Sequence, residues 1–405
     1  MRQFVRKIYS NYGYKEIITP IIEYTELFQR SIGNYTDIVQ KEMFTFTDRK
    51  GRSISLRPEG TAGVIRAYIE NNLAYLAGIK KFFYFGPMFR AERPQKGRYR
   101  QFYQFGTEAI GSDSPLLDAE VIKMNLELFK ALGINNIQIK INSVGCKNCR
   151  NKYTEKLKKF LQQRIESLCD DCKVRSEKNP LRVFDCKNPQ CQLQYNKAPV
   201  IIDNLCSECS AHFESFKQFL NYMEVKYIID PKIVRGFDYY TRTVFEITSE
   251  SLGTQNAILG GGRYDYLVQH LGGKPTPAVG AASGVERLLL LLDEKNKKLK
   301  FSEKISIFVA TTENVPQQII LKIVELLRKN NIVTFLSYSK RSLKSQLNEA
   351  NKLNVNYALI IGEDEIKEKS LILRNMKKSF QEQIKVNNIT NPIEILTNLL
   401  GGGQK

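Results

Sequence analysis

GPMFRAERPQKGRYRQFYQ, residues 86–104, is a basic stretch with Pro and Gly, set between two aromatic runs: KFFYF (81–85) before it and RQFYQFGTEAI (100–110) at its end. Two strand-like runs around such punctuation read as an antiparallel hairpin. Most of Phe82, Phe83, Tyr84 and Phe85 read as core. Arg90, Arg93, Lys96, Arg98 and Arg100 crowd the tip. Planar guanidinium forks suit bidentate contact with phosphate oxygens. Phe102, in the returning strand, offers a face on which a base could stack. Glu92 would repel phosphate, so it points to a different contact, such as the amino group of a base. The hairpin therefore reads as a phosphate grip, without saying which phosphate.

The rest of the chain bounds the answer. It has 405 residues and a formal charge of +19, from 61 Lys and Arg against 42 Asp and Glu. That excess favours a polyanion partner, nucleic acid first, although many surface lysines are only solvated. A membrane helix needs about 18–20 apolar residues, and the longest obvious apolar run is LLLLL at 288–292. The N-terminus, MRQFVRKIYS, has no apolar core of a signal peptide. The expected compartment is the cytoplasm.

Patterning gives the layout. MRQFVRKIYSNYGY reads as a helix with Phe4, Ile8 and Tyr12 on one face. A strand is expected in KEIITP, a helix over IEYTELFQRSIG, and short strands in EMFTFTD and SISLRP joined by DRKG. Helices follow in GTAGVIRAYIENN and PLLDAEVIKMNLELFKALG, and a strand in NIQIKIN. VKYIIDPKIVRGFDYYTRTVFEI reads as two strands around a turn, LGGGRYD as a Gly-rich turn, and GVERLLLLLD as a helix. KNKKLKFSEK (295–304) reads as a basic linker. Beyond it, ISIFVAT, VPQQIILKIVELLRKNN, IVTFLSY, SLKSQLNEANKLN and YALIIG alternate as βαβαβ, which argues for a parallel sheet. The fold class is α+β: an antiparallel sheet with helices over 1–145 and 213–297, an inserted Cys-rich module at 146–212, and a C-terminal α/β domain at 305–405.

The chain has no GxxxxGK[ST] loop, and GGGRYD is not a GxGxxG that opens a helix, so a bound nucleotide would be held by strands and arginines. Glu59 in LRPEGT and Glu108 in GTEAIG are carboxylates near apolar strands. They read either as salt-bridged acids or as the floor of a site for an amine. Tyr239, Tyr240 and Tyr264 add hydroxyls. Carboxylate and phenol groups together can satisfy both nitrogens of a neutral imidazole, one a donor and one an acceptor.

These residues carry a resemblance. TDIVQKEMFTF, LRPEGTAGVIR, the hairpin, RGFDYYTRTVFE, GGGRYDYL, PAVGAASGVERL, SLKSQL and IIGEDE together resemble the histidyl-tRNA synthetases, class II aminoacyl-tRNA synthetases, over essentially the whole chain. The RGxDYY and GGRYD pieces are specific to the histidine enzymes. The resemblance implies ATP-dependent attachment of histidine to its tRNA through a histidyl-adenylate. The hairpin would be motif 2, its tip at 93–99 reaching the tRNA acceptor end. Arg90 would grip the ATP α-phosphate, Glu92 would face the adenine amino group and Phe102 would stack on the ring. Arg287 of motif 3 would touch the γ-phosphate. Arg235 would be the catalytic cation. Thr61, Gln104 and Glu108 would hold the α-amino group, and Glu59, Tyr240 and Tyr264, beside Tyr239, would read the imidazole. Mg²⁺ would accompany ATP. Pro20 would close motif 1, which builds a homodimer interface. The C-terminal domain would read the anticodon, with Lys340, Arg341, Lys344 and Lys352 as phosphate contacts. The other reading is a histidine-binding, non-charging paralogue such as a regulatory subunit, which would be expected to lose the anticodon domain and to erode Arg90, Arg235 or Arg287. The segment with an RGTxD-like motif that usually opens such proteins is absent from the sequence; Met1 reads either as an internal start, the favoured expectation, or as the start of a truncated protein.

All eight cysteines fall in four pairs: Cys146–Cys149, Cys169–Cys172, Cys186–Cys191 and Cys206–Cys209. In a cytoplasmic protein disulfides are disfavoured, and clustered pairs read as tetrahedral structural zinc sites. Reduced thiols without metal and disulfides are the other readings. If each pair stays together, there are three ways to couple them, and His212 could replace a thiol. The family's module generally does without these cysteines. By the resemblance, the module would clamp the acceptor stem, through Lys152, Lys156, Lys158 and Lys159.

Overall fold

In a computed structural model, residues 1–33, 36–93, 97–252, 256–294, 305–337, 341–378 and 380–386 are described. The linker expected at 295–304, Lys96 and Lys340 lie outside them. The chain forms two compact units, Met1–Leu299 and Lys300–Lys405.

The first unit opens with α1 (Arg2–Asn11), β1 (Lys15–Glu16), β2 (Ile22–Tyr24), α2 (Thr25–Ile32), β3 (Thr45–Thr47), β4 (Ser53–Leu56) and α3 (Thr61–Glu70). It continues with β5 (Lys80–Phe89), β6 (Gln101–Ile110), α4 (Pro115–Ala131) and β7 (Gln138–Ser143). The Cys-rich segment supplies α5 (Lys147–Gln162), α6 (Asp170–Lys178), α7 (Pro189–Tyr195) and α8 (Ser207–Tyr222). Then come β8 (Ile228–Ile229), β9 (Thr241–Thr248), β10 (Ala257–Arg263), α9 (Leu267–His270), β11 (Ala278–Gly284) and α10 (Val285–Glu294).

One sheet, in the order β1-β5-β6-β11-β10-β9-β7-β8, organises this unit. Its middle pairings are antiparallel, and only the two edge pairings, β1 with β5 and β7 with β8, are parallel. Side chains alternate between faces along a strand. In β5, Phe83 joins a core with α1, α4, α8 and α10, whereas Tyr84 points to the opposite face, toward α3 and the Cys-rich segment. A smaller sheet, β2-β4-β3, stands apart.

Phe4, Ile8 and Tyr12 pack against one core, as their spacing predicts, beside the fully buried Val5 and Tyr9 of α1. Three local expectations are corrected. Residues 22–33 are a strand and then a helix, because Ile22 to Tyr24 pair with Leu56 to Ile54 and tertiary pairing overrides helical patterning. Only Lys15 and Glu16 of KEIITP pair, with Phe82 and Phe83. LGGGRYD is not a turn: Ala257–Arg263 is a central strand between β11 and β9. Its Arg263, fully buried, donates to both oxygens of Asp118 in α4 at 2.9 and 3.0 Å, which fastens the strand to the helix layer.

The second unit contains β12 (Ser306–Thr311), α11 (Gln317–Lys329), β13 (Val333–Leu336), α12 (Leu343–Lys352), β14 (Tyr357–Ile361), α13 (Glu363–Lys367), β15 (Ser370–Asn375) and β16 (Phe380–Lys385). β12 pairs in parallel with β13 and β14, as the alternating pattern predicts. β15 and β16 extend the sheet antiparallel and were not read from the sequence.

Candidate active site

A cavity of about 290 Å³ opens on the sheet face opposite the α1–α4 layer. It gathers Glu59, Thr61, Gln104, Tyr239, Tyr240 and Tyr264 with Arg90, Glu92, Phe102, Arg235 and Arg287. Glu108 lies just beneath, 1% exposed.

At one end are acids and phenols. Glu59 precedes α3, and its carboxylate accepts from the amides of Thr61 (2.6 Å) and Ala62 (2.8 Å). Those amides are orphan donors of the first helical turn, where negative charge is favoured. Burial raises the Glu59 pKa, and the two amides oppose that rise. Glu108, on β6, accepts from Thr61 Oγ1 at 2.7 Å and from the Tyr264 hydroxyl. Burial pushes its pKa up to about 8, against both hydrogen bonds. A side chain at Gly280 would collide with that carboxylate, so the glycine on β11 makes its space. Gln104 Oε1 is buried without a hydrogen-bond partner. The rings of Tyr239, Tyr240 and Tyr264 form a cluster with centroids 4.7 to 6.4 Å apart.

The cations reach the same groups: Arg235 hydrogen-bonds the Tyr240 side chain, and the charge of Arg90 helps to lower the Glu59 pKa. Arg235 pairs with Glu246 at 3.1 Å and lies over Gly260, where any Cβ would strike its guanidinium. This is the local reason for glycine in the middle of β10. Arg90 donates to Pro58 O at 2.9 Å and sits 5.3 Å from the Phe102 ring centroid. Glu92 is paired with Arg98 at 2.9 Å. Arg287 donates to Ala257 O at 2.5 Å. The hairpin is closed by Arg90 N donating to Arg100 O, and Glu286 of α10 accepts from Tyr103 N at 2.7 Å.

None of the described residues lining this cavity is a Ser, Cys or His. It brings carboxylates and phenols together with four arginines, an arrangement suited to placing charge around a bound ligand. Sequence reading missed Tyr84 and Glu246 as parts of the site, and it took Arg98 as a phosphate cation and not as the partner of Glu92. Tyr84 could have been found by alternation, since it faces away from Phe83.

The cysteines resolve into two nested sets: Cys146, Cys149, Cys206 and Cys209, and within them Cys169, Cys172, Cys186 and Cys191. In each set the ligand atoms lie within 4.8 Å of one another. Cys146 and Cys149 sulfurs are 3.6 Å apart and Cys169 and Cys186 sulfurs 3.8 Å apart. A tetrahedron with Zn–S bonds of about 2.3 Å puts its sulfurs about 3.8 Å apart, so both sets fit a metal. Cys146, Cys169 and Cys206 precede α5, α6 and α8, where helix amides favour thiolate. The Cys206 thiol is pushed down to about 7, chiefly by the Cys209 backbone amide. His212 does not replace a thiol: its ring faces Asp113 O at 3.2 Å and Asp118, and burial lowers its pKa to about 4. The expected module boundary at 212 falls inside α8, which runs on to Tyr222.

Lys152, Lys156 and Lys159 of α5 are exposed and Lys158 partly so, on the face away from buried Tyr153, Leu157 and Leu161. Lys344 and Lys352 are exposed on α12, and Arg341 pairs with Glu349 at 3.4 Å.

Residues 1–288 match the family model described as Histidyl-tRNA synthetase, and residues 304–394 match the one described as Anticodon binding domain. The chain is 47% identical over 391 residues to the histidine–tRNA ligase of Halothermothrix orenii, spanning 96% of this chain and 93% of that one. It is 50% identical over 389 residues to that of Thermodesulfovibrio yellowstonii, spanning 96% and 92%. The crystal structure of apo S. aureus histidyl-tRNA synthetase superposes with a TM-score of 0.79 at 35% identity, covering 96% of this chain and 93% of that chain.

Proposed function

The chain belongs to the histidyl-tRNA synthetase family and is an enzyme that joins histidine to tRNA using ATP; we propose that the cavity between Glu108 and Arg90 is where both steps occur. The histidine carboxylate attacks the α-phosphorus of ATP, the bond to the bridging oxygen breaks, and pyrophosphate leaves. A terminal ribose hydroxyl of tRNA then attacks the histidyl carbonyl and AMP leaves. Mg²⁺ enters with ATP as part of that substrate. Arg90 and Arg235 stabilise charge growing on the α-phosphate, the kind of fixed stabilisation that supplies most of a rate enhancement. Arg287 meets the terminal phosphates, Phe102 carries the adenine, and Glu92 takes the adenine amino group when it exchanges Arg98 for the base. Thr61, Gln104 and Glu108 hold the α-ammonium. Glu59, Tyr239, Tyr240 and Tyr264 surround the imidazole. Leaving such buried polar groups unpaired rejects other amino acids, by about 10⁴–10⁵ in comparable sites.

The observation that carries this reading is the buried, partnerless Gln104 Oε1 in a cavity that also holds Arg90, Arg98, Arg235 and Arg287. The regulatory paralogue is set aside, since the ligases matched span nearly the whole chain and the anticodon domain is retained. That domain reads the tRNA, and Lys344 and Lys352 touch its phosphates. Residues 1–145 and 213–297 form the catalytic core and 146–212 the insert, whose lysines meet the acceptor stem. The protein works in the cytoplasm as a homodimer. Ile18, Ile21, Ile22, Tyr24 and Phe46, all large and exposed around Pro20, support a partner on that face. Each cysteine set holds a zinc ion, which fixes helix ends and takes no part in the chemistry. Among the described residues no helix is long and apolar enough to cross a membrane. The test is charging of histidine tRNA by the purified chain. Product that depends on both ATP and histidine, and that Arg90→Ala removes, is expected; unreduced charging by the variant would refute the site.

A further inference from the structure

Residues 230–240 carry Arg235, Tyr239 and Tyr240 into the cavity, yet they form no helix or strand. Something else must fix them, because a displacement of about 1 Å in a positioning group can cost roughly 10²-fold in rate. Three side chains of the Cys-rich insert do so. Arg150, one residue after Cys149, donates to Asp238 O at 3.2 Å and to Tyr240 O. Asn179, at the end of α6, donates to Asp238 Oδ1 at 2.8 Å. Arg182, between Cys172 and Cys186, donates to Arg235 O at 3.2 Å. Each thiol set thus has an arm on the loop: the outer set through Arg150, the inner through Asn179 and Arg182.

Packing works beside these arms: Ile233, Tyr239 and Tyr240 share an apolar cluster with Tyr153, Val183 and Phe184 of the insert, and Asn142 of β7 donates to Pro231 O and Ile233 O. A cavity of about 200 Å³ lies between insert and loop, lined by Arg150, Asn179, Arg182, Arg235, Asp238 and Tyr240. The outer set also sits at the neck of the insert. Val144 N donates to Arg242 O and Arg242 N to Gly145 O, so the strand leaving for Cys146 is paired with the residue two past Tyr240. On the far side, the loop is held by Asp238 N donating to Ile32 O.

We infer that the insert is a metal-held positioning device for the histidine-binding loop, with Arg150, Asn179 and Arg182 as positioning residues that act on the substrate through Arg235, Tyr239 and Tyr240. The inference rests on the reading of the cavity as the histidine-activating site and of the cysteine sets as zinc sites. Loss of metal or oxidation of the thiols loosens the loop and is read first as weaker histidine binding.

The experiment uses the full chain. Metal content is measured by atomic absorption, histidine binding by titration calorimetry, and KM for histidine and for ATP by pyrophosphate exchange. Arg150→Met is expected to raise the histidine Kd and KM by about tenfold or more, the range of one hydrogen bond from a charged donor. Zinc content and the KM for ATP stay as in the parent, and Arg150→Lys recovers part of the loss. Asn179→Ala, a milder change at a surface-accessible helix end, gives a smaller rise in the same direction, so the inference can be judged even if Arg150→Met does not fold. Zinc removed by a chelator weakens histidine binding and its readdition restores it. An Arg150→Met or Asn179→Ala protein with parental histidine affinity overturns the inference, as does an equal loss for histidine and ATP. Absence of exchange in the parent chain, or of zinc in it, instead refutes the reading beneath.

Discussion

The cavity and the cysteine insert solve opposite problems with the same sheet. The cavity draws side chains from Glu59 to Arg287 and arranges them by strand register: Glu108 lies opposite Gly280, and Gln104 opposite Gly284, on β6 and β11. The insert has no sheet of its own. Cysteines stand at the start of three of its helices, α5, α6 and α8, and Asn188 caps α7. Charged groups in the cavity stay exposed to a substrate, whereas the sulfurs satisfy one another around a closed centre. The difference teaches that much of the reactive geometry here comes from paired strands, and that residues 230–240, which pair with no strand, are held by hydrogen bonds from the insert and from Asn142 of β7.

The largest effect separates chemistry from scaffolding. Arg235→Ala should lower the exchange rate about 10²–10³-fold, the cost of losing one preorganised charge partner, with thermal stability little changed. A loss of stability in place of rate would merge the two regions. Cys172→Ser should do the reverse. Bound zinc should fall from about two ions per chain to about one, stability by on the order of 3 kcal/mol, and the histidine KM should rise; atomic absorption and thermal melts read the first two.

Glu108 sharpens the cavity side through pH. Its folded pKa, near 8, exceeds the ordinary value of 4.5, so it is protonated in the empty protein at neutral pH. Its contribution favours the folded state below the unfolded value and is lost as pH rises through 8. Glu108→Gln should therefore melt higher than the parent at pH 8–9 and no higher near pH 4. Pairing with an ammonium requires ionisation, so histidine binding should release a proton, and affinity should rise up to about tenfold per pH unit below pH 8. Calorimetry in buffers of different ionisation enthalpy measures it, and Glu108→Gln should remove that component. The smallest effect lies on the insert's outer face. Lys152→Ala and Lys159→Ala should each cut the salt slope of tRNA binding by about one and leave exchange untouched.

Much of this was legible in the sequence because contiguous stretches carry it. The hairpin, LRPEGT and RGFDYY each announce a charge beside a strand, and their residues do meet in one cavity. What stayed hidden is what tertiary contact decides. LGGGRYD shows no alternation because its side chains are missing, and glycine there answers to Arg235 from another segment. Four Cys pairs leave three couplings until the ends of the insert, which leave and rejoin the same sheet, bring the outermost pairs together. Arg150 and Arg182 act on main-chain carbonyls, which every residue has, so their targets leave no trace in residue type.

The central claim is that this cavity activates histidine, and pyrophosphate exchange into ATP, run without tRNA on the full chain across a panel of amino acids, tests it most directly. The account expects exchange with histidine alone, lowered about 10²–10³-fold in Arg235→Ala. Exchange with another amino acid, or none with histidine while histidine still binds, would contradict it.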